Sequence, residues 1–142
     1  MFCTYDNDSR LQTAPMSANK VDDNGDFWFI SDKNSKRNED LATNDKTDLL
    51  FSDPAKENYI SMHGTSEILF DKDIIKKLWN PIVKTWFQGG VDDPNISVIK
   101  VTPDEAYYWD TKHGKMVSFL KILAGAVTGK TMDDGVEGKL TV

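Results

Sequence analysis

The 142-residue chain has one cysteine, two histidines and no long apolar run. A lone Cys3 cannot close an internal disulfide, so the core must hold the fold, which suits a reducing cytoplasm. His63 and His113 lie far apart in sequence, and with a single thiol they form no ligand spacing of a zinc type. No window reaches the roughly 18–20 apolar residues of a membrane span, and the start lacks a cationic segment followed by an apolar signal core. Glycine-rich phosphate loops, dinucleotide fingerprints and the Gly-x-Ser-x-Gly elbow are absent as well, which argues against nucleoside triphosphate and serine-hydrolase chemistry. Positive charge is in deficit: 17 Lys and Arg against 23 Asp and Glu give a formal charge of −6. Such a surface repels nucleic acid and anionic bilayers, so an anionic ligand would need a local cationic pocket.

The length suits one domain over 1–142, with a single core. Strand patterns are expected at Met1–Tyr5, Leu11–Asn19, Asp26–Ser31, Asp48–Ser52, Tyr59–Met62 and Thr65–Phe70, separated by Asp-, Asn- and Pro-rich turns. Asn24-Gly25 predicts a type I′ hairpin turn, which needs positive φ at both central residues. His63 reads as a hairpin histidine before Gly64. A short helix is expected over 35–43. Ile74, Ile75, Leu78, Trp79, Ile82, Val83, Trp86 and Phe87 describe one apolar helical face, broken where Asn80 caps and Pro81 starts a second helix. Strands at Ile96–Val101 and Glu105–Trp109, a helix over Met116–Val127 and a short terminal strand from Lys139 complete an antiparallel barrel with peripheral helices.

The segment Phe27-Trp28-Phe29-Ile30-Ser31-Asp32-Lys33-Asn34-Ser35-Lys36-Arg37 carries the most chemistry. Alternation puts Phe27 and Phe29 on one face of a strand and Trp28 and Ile30 on the other, so both faces should be covered. Ser31, Ser35, Lys36 and Arg37 follow at a helix start, a set that suits a phosphate monoester. Composition alone favours Ser35 as a plain N-cap and the cations as a solvated first turn. Cations there oppose the helix dipole by up to ~1 kcal/mol, so a nearby anion would be welcome. The pairs Asp22-Asp23 and Asp92-Asp93 lack the alternate spacing of a calcium loop and read as solvated turns.

Taken with Pro15-Met16, Leu78-Trp79-Asn80-Pro81, Trp86-Phe87 and the run Val101 to Asp110 that contains Tyr107-Tyr108-Trp109-Asp110, this segment resembles the general stress protein family. That family lies within the FMN-binding split-barrel superfamily related to pyridoxamine 5′-phosphate oxidase. The resemblance implies a six-stranded antiparallel split barrel and a homodimer with FMN at the subunit interface. Carried onto matching positions, it implies Ser31, Ser35, Lys36 and Arg37 at the FMN phosphate. Ile30 and Met16 would lie beside the ring, Pro15 would set the strand's approach, and Trp109 would reach the flavin of the partner subunit. Tyr59 stands where the oxidase has a flavin-contacting glutamine. Ala14 replaces an arginine frequent in the family, which would weaken affinity. The oxidase's C-terminal Arg and His pattern is lacking, which disfavours vitamin B6 oxidation. The family's leading helix is also missing, as though the chain were truncated before Met1.

The resulting expectation is a cytoplasmic FMN-dependent oxidoreductase that passes electrons from a small-molecule donor to a small acceptor, without nucleic acid or membrane partners. No side chain stands out as a general base, so no catalytic residue is assigned. A non-catalytic module that binds or senses flavin is the alternative, and an empty dimeric barrel ranks third.

Overall fold

The computed structural model describes residues 1–110 and 136–141, with side-chain environments for 1–109 and Lys139. The strands are β1 (Phe2–Tyr5), β2 (Leu11–Ala14), β3 (Lys20–Val21), β4 (Phe27–Asp32), β5 (Lys46–Asp53), β6 (Asn58–Leu69), β7 (Ile96–Asp110) and β8 (Val136–Thr141). Among the described residues three short α-helices intervene: α1 (Lys36–Leu41), α2 (Lys72–Leu78) and α3 (Pro81–Lys84). The sheet has eight strands in the order β2-β1-β5-β6-β7-β4-β3, with β8 added to β7, and each adjacent pairing is antiparallel.

Eight strands replace the expected six for two physical reasons. The passage from Leu11 to Val21 leaves the ladder after Ala14, because Pro15 has no N–H to donate. It rejoins at the other end of the sheet: Asn19 N–H donates to the Trp28 carbonyl at 2.8 Å, and Asn19 Oδ1 accepts from Ile30 N–H at 2.8 Å. A single stretch of chain therefore borders β1 at its start and β4 at its end, closing the barrel around a gap at Pro15. The eighth strand, β8, lies along the far part of β7 from Glu105 to Asp110.

Three further expectations change. The separate strands at 59–62 and 65–70 are one strand, β6, with a register shift at His63/Gly64. A Cβ on Gly64 would lie 2.4 Å from the Thr102 carbonyl oxygen, so glycine lets β7 approach closely there. Likewise the strands at 96–101 and 105–109 are one strand, β7. At the Asn24-Gly25 hairpin, which joins β3 to β4, only Gly25 has positive φ, at 85°, and Asp22 N–H bonds to the Asp26 carbonyl. That is a three-residue loop with glycine in the left-handed position instead of a type I′ turn. The expected 116–127 helix lies outside the described residues. No helix among those described is long and apolar enough to cross a membrane.

β4 divides the core as its alternation predicts. Phe27 and Phe29 point into the barrel with Phe2, Leu41, Leu49, Ile60, Met62, Ile99 and Val101, where the Phe2 and Phe29 rings meet edge to face at 5.0 Å. Trp28 and Ile30 face the second cluster, formed by Ile75, Leu78, Val83, Phe87, Ile96 and Val98 beneath α2 and α3. Both helices start on side-chain caps: Asp71 accepts from the Asp73 and Ile74 N–H groups, and Asn80 accepts from those of Ile82 and Val83. The apolar helical face is not wholly buried, however. Ile82 and Trp86 are 73% and 79% exposed.

Candidate functional site

Where the Pro15 gap interrupts the sheet, a cleft of about 600 Å³ opens beside β4, a size suited to a small-molecule ligand. Pro15, Met16, Ser17 and Asn19 form one side, Ile30, Ser31 and Asp32 the floor, and Ile82, Val83, Trp86 and Phe87 the opposite wall, with Met1 and Arg37 completing it. The cleft is largely apolar, with Ser31, Asp32 and Arg37 at its β4–α1 end and Ser17 and Asn19 on the Pro15 side.

Burial falls on those polar groups unequally. Ser31 continues the inward phase of Phe27 and Phe29 and is 3% exposed, so its hydroxyl must be satisfied internally. Its Oγ donates to Asn38 Oδ1 at 3.0 Å and accepts from Arg37 Nη2 at 3.2 Å. Asn38 Nδ2 donates to Ser97 Oγ at 2.7 Å, and Ser97 Oγ donates to the Ser31 carbonyl at 3.2 Å. The Ser31 hydroxyl is thus held by a closed network linking β4, α1 and β7. Sequence reading missed Asn38 and Ser97; no local pattern marks them, because their partners lie on other elements.

Arg37 is the anomaly. Its guanidinium stands over the Phe2 ring, 5.8 Å from the centroid. Its Nε is buried without a hydrogen-bond partner. No carboxylate pairs with it among the described residues, and burial pushes its pKa down. A partly desolvated cation with a spare donor is costly unless an anion meets it.

The other predicted phosphate residues are engaged locally. Ser35 is the N-cap of α1: its hydroxyl accepts from Asn38 N–H at 3.3 Å. Lys36 turns away to Asp40, with Glu39 at 3.6 Å, and the bond to Asp40 holds its pKa up. Of the nine residues anticipated, Pro15, Met16, Ile30, Ser31 and Arg37 line the cleft, whereas Ser35, Lys36, Tyr59 and Trp109 do not. Tyr59 and Trp109 are direct register partners on β6 and β7, both about two-fifths exposed at 41% and 42%. The Trp109 ring lies 4.5 Å from that of Tyr107. The cleft wall from α3 was not anticipated, since the apolar period marked Ile82 and Trp86 as core.

Comparisons with known proteins agree with this architecture. The protein bli-3 of Neurospora crassa is 27% identical over 113 residues, covering 74% of this chain and 54% of that protein. The chain therefore spans about half the length of that relative. A Clostridium acetobutylicum protein related to general stress protein 26, of the pyridoxinephosphate oxidase family, superimposes with a TM-score of 0.70 at 28% identity, covering 78% of each chain. A general stress FMN/FAD binding protein from Xanthomonas citri superimposes at 0.65, covering 92% of this chain and 85% of that one; at 22% identity it speaks for the fold alone. A family model described as pyridoxamine 5′-phosphate oxidase like matches residues 1–133, and the chain belongs to that family.

Proposed function

We propose that the protein is a flavin-binding stress protein, with FMN seated in the cleft beside β4 and used in electron transfer to a small acceptor. The observation that carries this reading is Arg37, a cation with an unpartnered buried Nε at the β4–α1 end of a largely apolar cleft. An anionic group attached to a planar apolar body fits that distribution. A phosphate would satisfy the spare donor and compensate the charge.

Within this reading the chain's residues have separate tasks. Arg37 and Ser31 receive the phosphate, with Ser31 oriented by Asn38. Met16 and Ile30 give the ring a dry wall, and Pro15 keeps the barrel open at the entrance. When bound, the flavin supplies the redox chemistry. Among the described lining residues Asp32 is the sole carboxylate and there is no histidine, which supports binding and electron transfer over general acid–base catalysis. Tyr59 and Trp109 lie outside the lining and are half exposed, so they serve such a site from a second copy of the chain. That arrangement supports a homodimer.

The test is the visible spectrum of the purified protein before and after addition of FMN, followed by stopped-flow reduction with NADH or NADPH. Flavin uptake with reduction and turnover is the expected result. Uptake without reduction would reassign the protein to flavin storage or sensing, and no uptake would overturn the reading altogether.

A further inference from the structure

Lys36 and Arg37 are adjacent on α1, yet their environments are opposite. Lys36 Nζ bonds to Asp40 Oδ1, and the Asp40 side chain is 1% exposed. Among the described residues, the other carboxylate oxygen accepts the Thr4 hydroxyl, at 2.9 Å. Asp40 is therefore a buried carboxylate with one cationic partner among the described residues, and that partner is Lys36. Removing it would strand a charge in the interior.

The pair is not there to strengthen the helix. Lys36 is the first residue of α1 and Asp40 its fifth, so each charge sits at the end that the helix dipole disfavours, and acid-before-base is the better order at this spacing. Its purpose is to neutralise Asp40, which ties α1 to β1 through Thr4. Glu39 cannot replace that bond, because it is exposed and such pairs contribute little.

We propose that Asp40 determines which cation reads the bound anion: it retains Lys36 as its own counter-ion and leaves Arg37 as the reader. This rests on the flavin reading given above and makes Asp40 a specificity-determining residue that touches no ligand itself. Riboflavin, which lacks the phosphate, supplies the control, since the ratio of FMN to riboflavin affinity isolates the anion's contribution. Arg37→Met should lower that ratio by about ten- to a hundredfold, the loss of a charge-assisted hydrogen bond. Lys36→Met should change it by less than about threefold, well under that loss. Asp40→Asn should free Lys36 for the anion and raise the ratio by about tenfold, a gain of one such bond at the low end.

A stability cycle tests the pair without any ligand. Lys36→Met should lower the urea midpoint in the wild-type background and leave it nearly unchanged in the Asp40→Asn background. The proposal is overturned if Lys36→Met costs as much of the FMN ratio as Arg37→Met, if Asp40→Asn leaves the ratio unmoved, or if Lys36→Met is equally damaging in both backgrounds. Wild-type protein that binds neither FMN nor riboflavin would instead overturn the flavin reading, while the urea cycle would still decide the assignment of Lys36.

Discussion

Two polar regions of the barrel treat charge in opposite ways. On the outer face, Cys3, Asp48, His63 and Glu105 are register partners across β1, β5, β6 and β7. Asp48 there accepts from the Tyr5 hydroxyl and meets His63 Nδ1 at 2.7 Å, while Glu105 pairs with Lys139 at 2.6 Å. The cleft end has Arg37, whose Nε is unpartnered and which pairs with no carboxylate among the described residues, although Asp32 also lines the cleft. Both regions carry ionisable side chains, so composition does not separate them. Pairing does: the outer face is internally satisfied and reads as structure, whereas the cleft is one anion short and reads as a site.

Phe2 gives the strongest test because it joins the core to the Arg37 guanidinium. It is 1% exposed, packs edge to face on Phe29 and lies under the Arg37 guanidinium. Phe2→Ala should cost about 3–5 kcal/mol in chemical denaturation, and Arg37 should lose its fixed position. Phe2→Leu should retain most of the stability and isolate the cation–π contribution. Equal flavin affinity in Phe2→Leu and wild type would show that the ring is packing alone.

Arg37→Met separates binding from folding. Flavin phosphate affinity should fall by ~1.5–3 kcal/mol, measured as FMN titration against riboflavin. Stability should hold or rise, since an apolar side chain removes an uncompensated cation from partly buried surroundings. A clear loss of stability would mean that the guanidinium has a structural partner, and the contrast between the two regions would collapse.

Much of the barrel was legible because its signals are local. The alternation of Phe27-Trp28-Phe29-Ile30 correctly predicts two buried faces, and Asn80-Pro81 correctly marks a new helix. Failures occur where distant backbone decides. Continuous β6 depends on Gly64 admitting the Thr102 carbonyl, and the broken passage at Pro15 depends on Asn19 reaching β4. The site divides similarly. Ser31 and Arg37 follow from the strand-to-helix order, but nothing near Lys36 reveals that Asp40 is buried against Thr4. Trp86 misleads because amphipathic spacing cannot distinguish a core residue from one at the lip of a cleft.

Asp48→Asn probes the satisfied region. Two charge-assisted hydrogen bonds would weaken, costing about 1–3 kcal/mol. The hydrogen bond to Asp48, followed by burial, raises the Tyr5 pKa from 10.0 to about 12. Since that pKa is raised on folding, its stabilisation is complete below pH 10 and disappears as pH rises towards 12. Urea midpoints should therefore decline across that alkaline window in the wild type and much less in Asp48→Asn. Tyrosinate absorbance should show one tyrosine titrating earlier in the variant. An identical alkaline decline in both proteins would remove Tyr5 from the account.

Trp86 should show the smallest effect on folding. At 79% exposure, its removal as Trp86→Ser leaves few contacts to lose, and the stability change should stay within about 0.5 kcal/mol. Yet Trp86 forms part of the cleft wall. If a planar apolar body occupies the cleft, losing the indole should weaken FMN and riboflavin by the same factor, because it acts on the ring and ignores the phosphate. A loss confined to FMN would place the residue near the anion instead. Unchanged affinity for both would limit the binding surface to the floor and the Pro15 side. Trp86→Ser and Arg37→Met therefore address the two ends of one cleft, and additive losses in the double variant would show that the ends act independently.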